Sequence, residues 1–204
     1  MLRVGLTGSI AVGKTHVVGL LKELGCHVID ADQTARDVVM PGTEGLKRVV
    51  AEFGAEVLQP DGHLDRARLG SIIFGDKEKR ERLNSILHPL IIKEQDDAMR
   101  AFEREDPEGI AIVDAALMIE SGGYKRFDKL VVVHCRPEIQ VERLMRRNSL
   151  SREEAELRIA AQMSQEEKMR HADFLIDTSD DYEATRERTE EVFQKLRELS
   201  RKRA

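Results

Sequence analysis

The sequence predicts an α/β fold in which five short parallel strands form one sheet flanked by helices. Three observations predict it. Runs rich in valine and isoleucine recur at Leu2–Thr7, His27–Asp30, Gly109–Asp114, Lys129–His134 and Phe174–Asp177. Segments with helical periodicity separate them, so the strands are joined by crossovers and pair in parallel. The first run breaks into Gly8-Ser-Ile-Ala-Val-Gly13-Lys14-Thr15, a turn placed between a strand pattern and a helix pattern.

In the first unit, Leu2, Val4 and Leu6 alternate as in a strand, and Val17, Val18, Leu20, Leu21 and Leu24 keep helical spacing. The turn matches G-x-x-x-x-G-K-[ST], the phosphate-binding P-loop. Gly8 and Gly13 let the backbone turn so that several N–H groups face one concavity suited to a polyphosphate. Lys14 supplies a point charge to the β- and γ-phosphates, and the Thr15 hydroxyl suits Mg²⁺. The fold expected is therefore that of a P-loop NTPase, nucleoside-kinase-like, that binds a nucleoside triphosphate.

The second strand closes on Val28-Ile-Asp30-Ala-Asp32. If the strand persists, residues two apart share a face and both carboxylates point toward the P-loop. Asp32 then suits the role of base or orienter for an acceptor hydroxyl, while one of the pair is also placed to cap the next helix. From there to Gly109 no strand is evident. Helical stretches appear near 34–40, 43–53, 66–73 and 76–104, punctuated by Pro41-Gly42 and Pro60-Asp61-Gly62. His88-Pro89 is expected to kink or split the long one, since proline removes a backbone donor and clashes with the preceding turn. The block reads as a helical insertion over the strand ends.

The third strand ends at Asp114, where a carboxylate makes a second anchor for Mg²⁺. Beyond the fourth strand, Pro137 suits a first helical position, and Ser151…Glu154 and Ser164…Glu167 match the capping box. Three short helices are expected at 137–147, 151–163 and 164–171. Arg143 and Arg147 are four apart and share a helix face, which fits a lid closing over a triphosphate. Arg146 and Arg152 read as surface. A terminal helix near 181–203 places Val192, Phe193, Leu196 and Leu199 on one face. The chain is thus expected to be a single domain, 1–204. Its core is about 1–32, 108–136 and 172–204, its acceptor-binding region about 33–107, and its lid about 137–171.

Composition excludes several functions. A formal net charge of −5 argues against a general nucleic-acid binder. Cys26 and Cys135 lie in or beside apolar runs without metal-ligand spacing and read as reduced core residues. No stretch reaches membrane length and the N-terminus reads as a strand rather than a signal peptide, so a cytoplasmic protein is expected. The only asparagines, Asn84 and Asn148, are each followed by serine. That removes the guanine-reading Asn-Lys-x-Asp of GTPase switches. Histidines are dispersed, and His27 and His134 read as core imidazoles. What remains is a small kinase.

Taken together the motifs resemble the dephospho-coenzyme A kinase family. The resemblance runs nearly end to end: Leu6-Thr-Gly8 and the P-loop, Val28-Ile-Asp-Ala-Asp32, Leu87-His-Pro-Leu90-Ile, Val113-Asp-Ala-Ala-Leu-Met-Ile-Glu120, Arg143-Leu-Met-Arg-Arg147, Ala160-Ala-Gln162 and Ala172-Asp-Phe-Leu-Ile-Asp177. It implies transfer of phosphate from ATP, with Mg²⁺, to the ribose 3′-hydroxyl of dephospho-CoA, the last step of coenzyme A synthesis. It also implies ATP binding by Gly8, Ala11, Val12, Gly13, Lys14, Thr15 and His16, and metal binding by Thr15 and Asp114. The acceptor falls to Asp32, Arg68, His88, Lys93, Leu117 and Glu120, with Asp32, Lys14, Arg143 and Arg147 catalytic. The expected partners are these two substrates, without nucleic acid or membrane, for a monomer or weak homo-oligomer. Three positions depart from the family pattern: His16 stands where a second hydroxyl is common, Ala116 replaces a proline, and Thr178-Ser179-Asp180 replaces Asn-Ser-Gly. Within the same fold a nucleoside or nucleoside-monophosphate kinase is the alternative enzyme. A nucleotide-dependent switch is the alternative without phosphotransfer.

Overall fold

All five apolar runs form strands in the computed structural model, which describes residues 1–203: β1 (Leu2–Thr7), β2 (His27–Asp30), β3 (Ile110–Asp114), β4 (Lys129–His134) and β5 (Phe174–Asp177). They make one sheet in the order β2-β3-β1-β4-β5. Strand β1 pairs in parallel with β3, Val4 opposite Ile112, and with β4, Leu6 opposite Val131. Strand β5 extends the parallel ladder from β4. Successive connections lead from β1 toward one edge and from β3 across to the other. A crevice at the C-terminal ends of such strands is where doubly wound sheets accept ligands.

The helices are α1 (Lys14–Glu23), α2 (Ala31–Asp37), α3 (Glu44–Phe53), α4 (Arg66–Ile73), α5 (Lys77–Glu105), α6 (Pro137–Asn148), α7 (Arg152–Ala160), α8 (Gln165–Met169) and α9 (Tyr182–Arg201). The chain divides into two compact units, residues 1–29 with 101–204, and residues 30–100. In the first, Leu2, Val4 and Leu6 of β1 pack with Val17 and Leu21 of α1 and with Val192, Phe193 and Leu196 of α9. Both cysteines are free and buried there. Burial pushes the Cys26 thiol up to about 12 and that of Cys135 to about 11. In the second unit, Val38, Val49, Val57 and Leu69 form a separate core.

Two local expectations fail here, each for a physical reason. The second strand does not persist to Asp32. It stops at Asp30, whose carboxylate accepts the Gln33 N–H at 3.0 Å and caps α2, so Asp32 lies in the first helical turn. The two carboxylates therefore do not share a strand face. Helix α5 also runs unbroken for 29 residues through Pro89. An internal proline costs about 3 kcal/mol. Leu83, Ile86, Leu87, Leu90 and Ile91, all packed on the second core, outweigh it. Both capping boxes form, Ser151 with Glu154 and Ser164 with Glu167. Helix α7 nevertheless ends at Ala160, short of 163.

Candidate active site

The P-loop takes the conformation its glycines permit. Gly13 sits at φ 84°, in the left-handed region, as the N-cap of α1. A Cβ on Gly8 would lie 2.6 Å from the Val133 carbonyl and 2.9 Å from Val12 Cγ2, so only glycine fits against β4. Ala11 is also left-handed, at φ 62°. No side chain caps α1 and its first turn carries no acidic residue. By contrast, α2, α3, α4, α7, α8 and α9 each start on a side-chain cap. Helix α6 lacks such a cap as well, but α1 opens directly from the glycine turn, where the helix dipole favours an anion.

A cleft of about 840 Å³ opens over this loop. Gly8 through His16 line it, with Ala116, Gln162, three arginines and the segment after β5. Lys14 pairs with Asp114 at the end of β3, so in the free protein its charge rests on the adjacent strand terminus. Arg143, Arg146 and Arg147 all face the cleft. Arg146 was expected on the outer surface, yet it lies three residues from Arg143 and shares its side of α6. Arg143 is tethered: its guanidinium donates to Thr178 Oγ1 at 3.0 Å and to the Thr178 carbonyl at 2.7 Å. Arg147 donates to Oδ1 of its neighbour Asn148 at 2.9 Å. Arg152 pairs with Glu156 on the exposed side of α7.

Thr178, which the sequence marked only as a departure from the family motif, is a hub. It is 3% exposed. Its hydroxyl donates to the Val12 carbonyl at 2.6 Å while accepting from Arg143, joining the P-loop to α6. Ser179 fixes the next turn by accepting the Arg136 N–H at 2.8 Å. Asp180, Asp181 and Tyr182 line the cleft beyond it. The His16 ring stands edge-on to Tyr182 at 4.8 Å, and its Nε2 is buried with no hydrogen-bond partner among the described residues.

The remaining expected residues divide by unit. Glu120 pairs with Lys168 at 2.7 Å, and Leu117 is exposed. Asp32, Arg68, His88 and Lys93 belong to the second unit and are exposed. Lys93 is engaged by Asp97, one turn on, at 2.7 Å. The two imidazoles expected in the core are half-buried: His27 stacks on Phe102 at 4.5 Å and lies 3.4 Å from the Asp106 carboxylate. Burial of His134 pulls its pKa below the usual histidine range.

A glycine-shaped anion cradle at the end of β1, with a lysine inside it and arginines on the facing helix, defines a P-loop phosphotransferase. The sequence profile of the dephospho-CoA kinases matches residues 2–183. The dephospho-CoA kinase of Listeria monocytogenes is 48% identical over 184 residues, covering 89% of this chain and 90% of its own. That of Geobacter sulfurreducens is 46% identical, covering 94% and 97%. Among solved structures, one from Thermus thermophilus superposes with a TM-score of 0.81 at 27% identity, covering 95% of this chain and 96% of its own. The dephospho-CoA kinase of Campylobacter jejuni gives 0.64 at 28%, with the same coverage. The chain belongs to the dephospho-CoA kinase family, enzymes that phosphorylate dephospho-CoA to coenzyme A in the last step of its biosynthesis.

Proposed function

We propose that this chain moves the γ-phosphoryl group of ATP to the ribose 3′-hydroxyl of dephospho-CoA, with residues 8–15 holding the phosphates. The observation that carries the reading is the uncapped start of α1 facing a cleft shared by Lys14, Arg143 and Arg147. Lys14 leaves Asp114 for the β- and γ-phosphates as nucleotide enters, and Arg143 and Arg147 offset charge on the transferring group. His16 and the segment at 178–182 border the nucleoside end. Thr15 and Asp114 offer a hydroxyl and a carboxylate, oxygen donors that suit Mg²⁺, a cation that completes its shell with phosphate and water. When bound there, the ion neutralises phosphate charge.

To Asp32, an exposed carboxylate two residues beyond β2 in sequence, we assign the orienting of the acceptor hydroxyl and the acceptance of its proton. Arg68, His88 and Lys93 serve the acceptor from the helical region, and Leu117 and Glu120 from the loop after β3. No helix among the described residues is long and apolar enough to cross a membrane. We place the enzyme in the cytoplasm, with ATP and dephospho-CoA as its partners.

The test is a coupled ADP-release assay with dephospho-CoA, nucleosides and nucleoside monophosphates offered in parallel. Turnover should appear with dephospho-CoA alone, and Asp32→Asn should lower kcat by roughly two to four orders of magnitude with ATP affinity kept. Phosphorylation of a nucleoside in preference to dephospho-CoA would refute the substrate, and near-normal kcat in Asp32→Asn would refute the base.

A further inference from the structure

Gln162, Gln165 and Lys168 recur three residues apart, and each ends on a different strand terminus. Gln162 Oε1 accepts the Ile10 N–H at 2.8 Å, in the loop after β1. Gln165 Oε1 accepts the Cys135 N–H at 2.9 Å, just past β4. Lys168 Nζ donates to the Ala116 carbonyl at 2.9 Å and pairs with Glu120, both in the loop after β3. The Ala116 carbonyl also accepts from Thr7 Oγ1 at 3.1 Å.

A relay links the first two anchors. Gln165 Nε2 donates to Gln140 Oε1 at 2.7 Å, and Gln140 Nε2 donates to the Ile10 carbonyl at 2.8 Å. Both backbone polar groups of Ile10 thus end on glutamine side chains. From the Cys135 N–H through Gln165 and Gln140 to the Ile10 carbonyl each bond runs donor to acceptor, which fixes the orientation of both relay amides, while the Ile10 N–H donates outward to Gln162. Gln140 is 2% exposed and Lys168 is not exposed at all. A buried network of this kind is rigid when every member is satisfied, and a buried ammonium is held in place by its partners because it cannot do without them.

We propose that Gln162, Gln165 and Lys168 act as one bracket, presetting the P-loop and the loop after Asp114 for phosphoryl transfer. They are positioning residues: Gln165 and Lys168 act through Cys135 and Ala116 from outside the cleft lining, and Gln162, which borders the cleft, acts through Ile10. The bracket also divides the helical arm expected to serve as lid. Helix α7 packs on Val141 and Leu144 of α6 through Ala155 and leaves Leu157 exposed, while the chain from Gln162 onward is bonded to the strand termini. This rests on the phosphotransfer reading above, and hydrogen exchange tests it without any substrate.

In the wild-type, nucleotide-free protein, the Ile10 and Cys135 amides should exchange slowly and the exposed tip of α7 quickly. Gln162→Leu keeps the side chain's bulk and removes the acceptor. It should speed Ile10 exchange while sparing Cys135, weaken ADP binding in calorimetry roughly tenfold, and lower kcat ten- to a hundredfold. The KM for dephospho-CoA should stay unchanged. Lys168→Met should lower kcat in the same way through the loop after Asp114, since it leaves the Ala116 carbonyl without its ammonium donor. Unchanged Ile10 exchange in Gln162→Leu overturns the proposal. So does a lower Tm with ADP affinity, KM and kcat all within twofold of wild type, the signature of a merely structural role. If Lys168→Met does not fold, Gln162→Leu decides alone. If dephospho-CoA is not turned over at all, exchange and ADP binding still report on the bracket.

Discussion

Thr178→Val removes one hydroxyl and keeps the shape, so its effect can be worked from the contacts. The Val12 carbonyl loses its 2.6 Å donor in a site that is 3% exposed. An acceptor left buried without a partner costs about 1–3 kcal/mol. Arg143 loses its 3.0 Å bond to the hydroxyl but keeps the 2.7 Å bond to the Thr178 carbonyl. The guanidinium is therefore not orphaned, and that part costs about 0.5–1 kcal/mol. The sum is about 1.5–4 kcal/mol. For a chain of this size each kcal/mol lowers Tm by about 2–4 °C, so a fall of roughly 3–16 °C is expected. Because Val12 belongs to the P-loop, ADP affinity should drop as well. Urea denaturation followed by circular dichroism reads the first quantity, and ADP titration calorimetry the second. Thr178→Ser keeps the hydroxyl and should stay within about 1 kcal/mol of wild type. A valine variant within 0.5 kcal/mol of wild type, as roughly for a surface change, with unaltered ADP affinity, would refute the reasoning.

Gly8→Ala should be tolerated poorly, because its Cβ would press on the backbone of β4, which cannot move aside as a flexible side chain does. About 1–3 kcal/mol of stability should go, seen as an earlier urea midpoint, together with most ADP binding by calorimetry; wild-type values for both would show the loop is looser than its geometry. The pH dependence of stability isolates Cys26. Burial raises its pKa in the folded state from 9.0 to about 12. Its contribution is complete below pH 9 and is lost as pH rises from there toward 12, where the unfolded thiol ionises and the folded one does not. Wild type should therefore lose stability faster than Cys26→Ala across that window, by about 1.4 kcal/mol per pH unit; parallel urea-midpoint curves would contradict the assignment.

The parts of the molecule that repeat locally were legible. Alternation at Leu2, Val4 and Leu6 located β1, and the serine–glutamate spacing located the starts of α7 and α8. The P-loop was readable because its backbone shape needs glycine at set positions. What escaped were contacts with no local period. Thr178 and Val12 lie 166 residues apart, and Ile10 and Gln162 lie 152 apart. Nothing near a glutamine in sequence shows that a strand terminus waits for it. Lys168 was hidden for a related reason: a lysine that follows two glutamates reads as a solvated face until its burial is known. Pro89 misled because a local rule was applied where an apolar helix face decides. Asp32 shows a milder failure, since the carboxylate was noticed but its strand geometry was a helix turn.

The chain has no tryptophan and only two tyrosines. Tyr124 stands beside His171 at 5.1 Å, while Tyr182, 77% exposed, lies on the rim of the nucleotide cleft beside His16. With no indole to drain the excitation energy, ultraviolet emission comes from these two phenols alone, and one of them borders the ligand. The enzyme thus carries its own optical reporter of occupancy, and a single tryptophan introduced elsewhere would shine without a background of its kind.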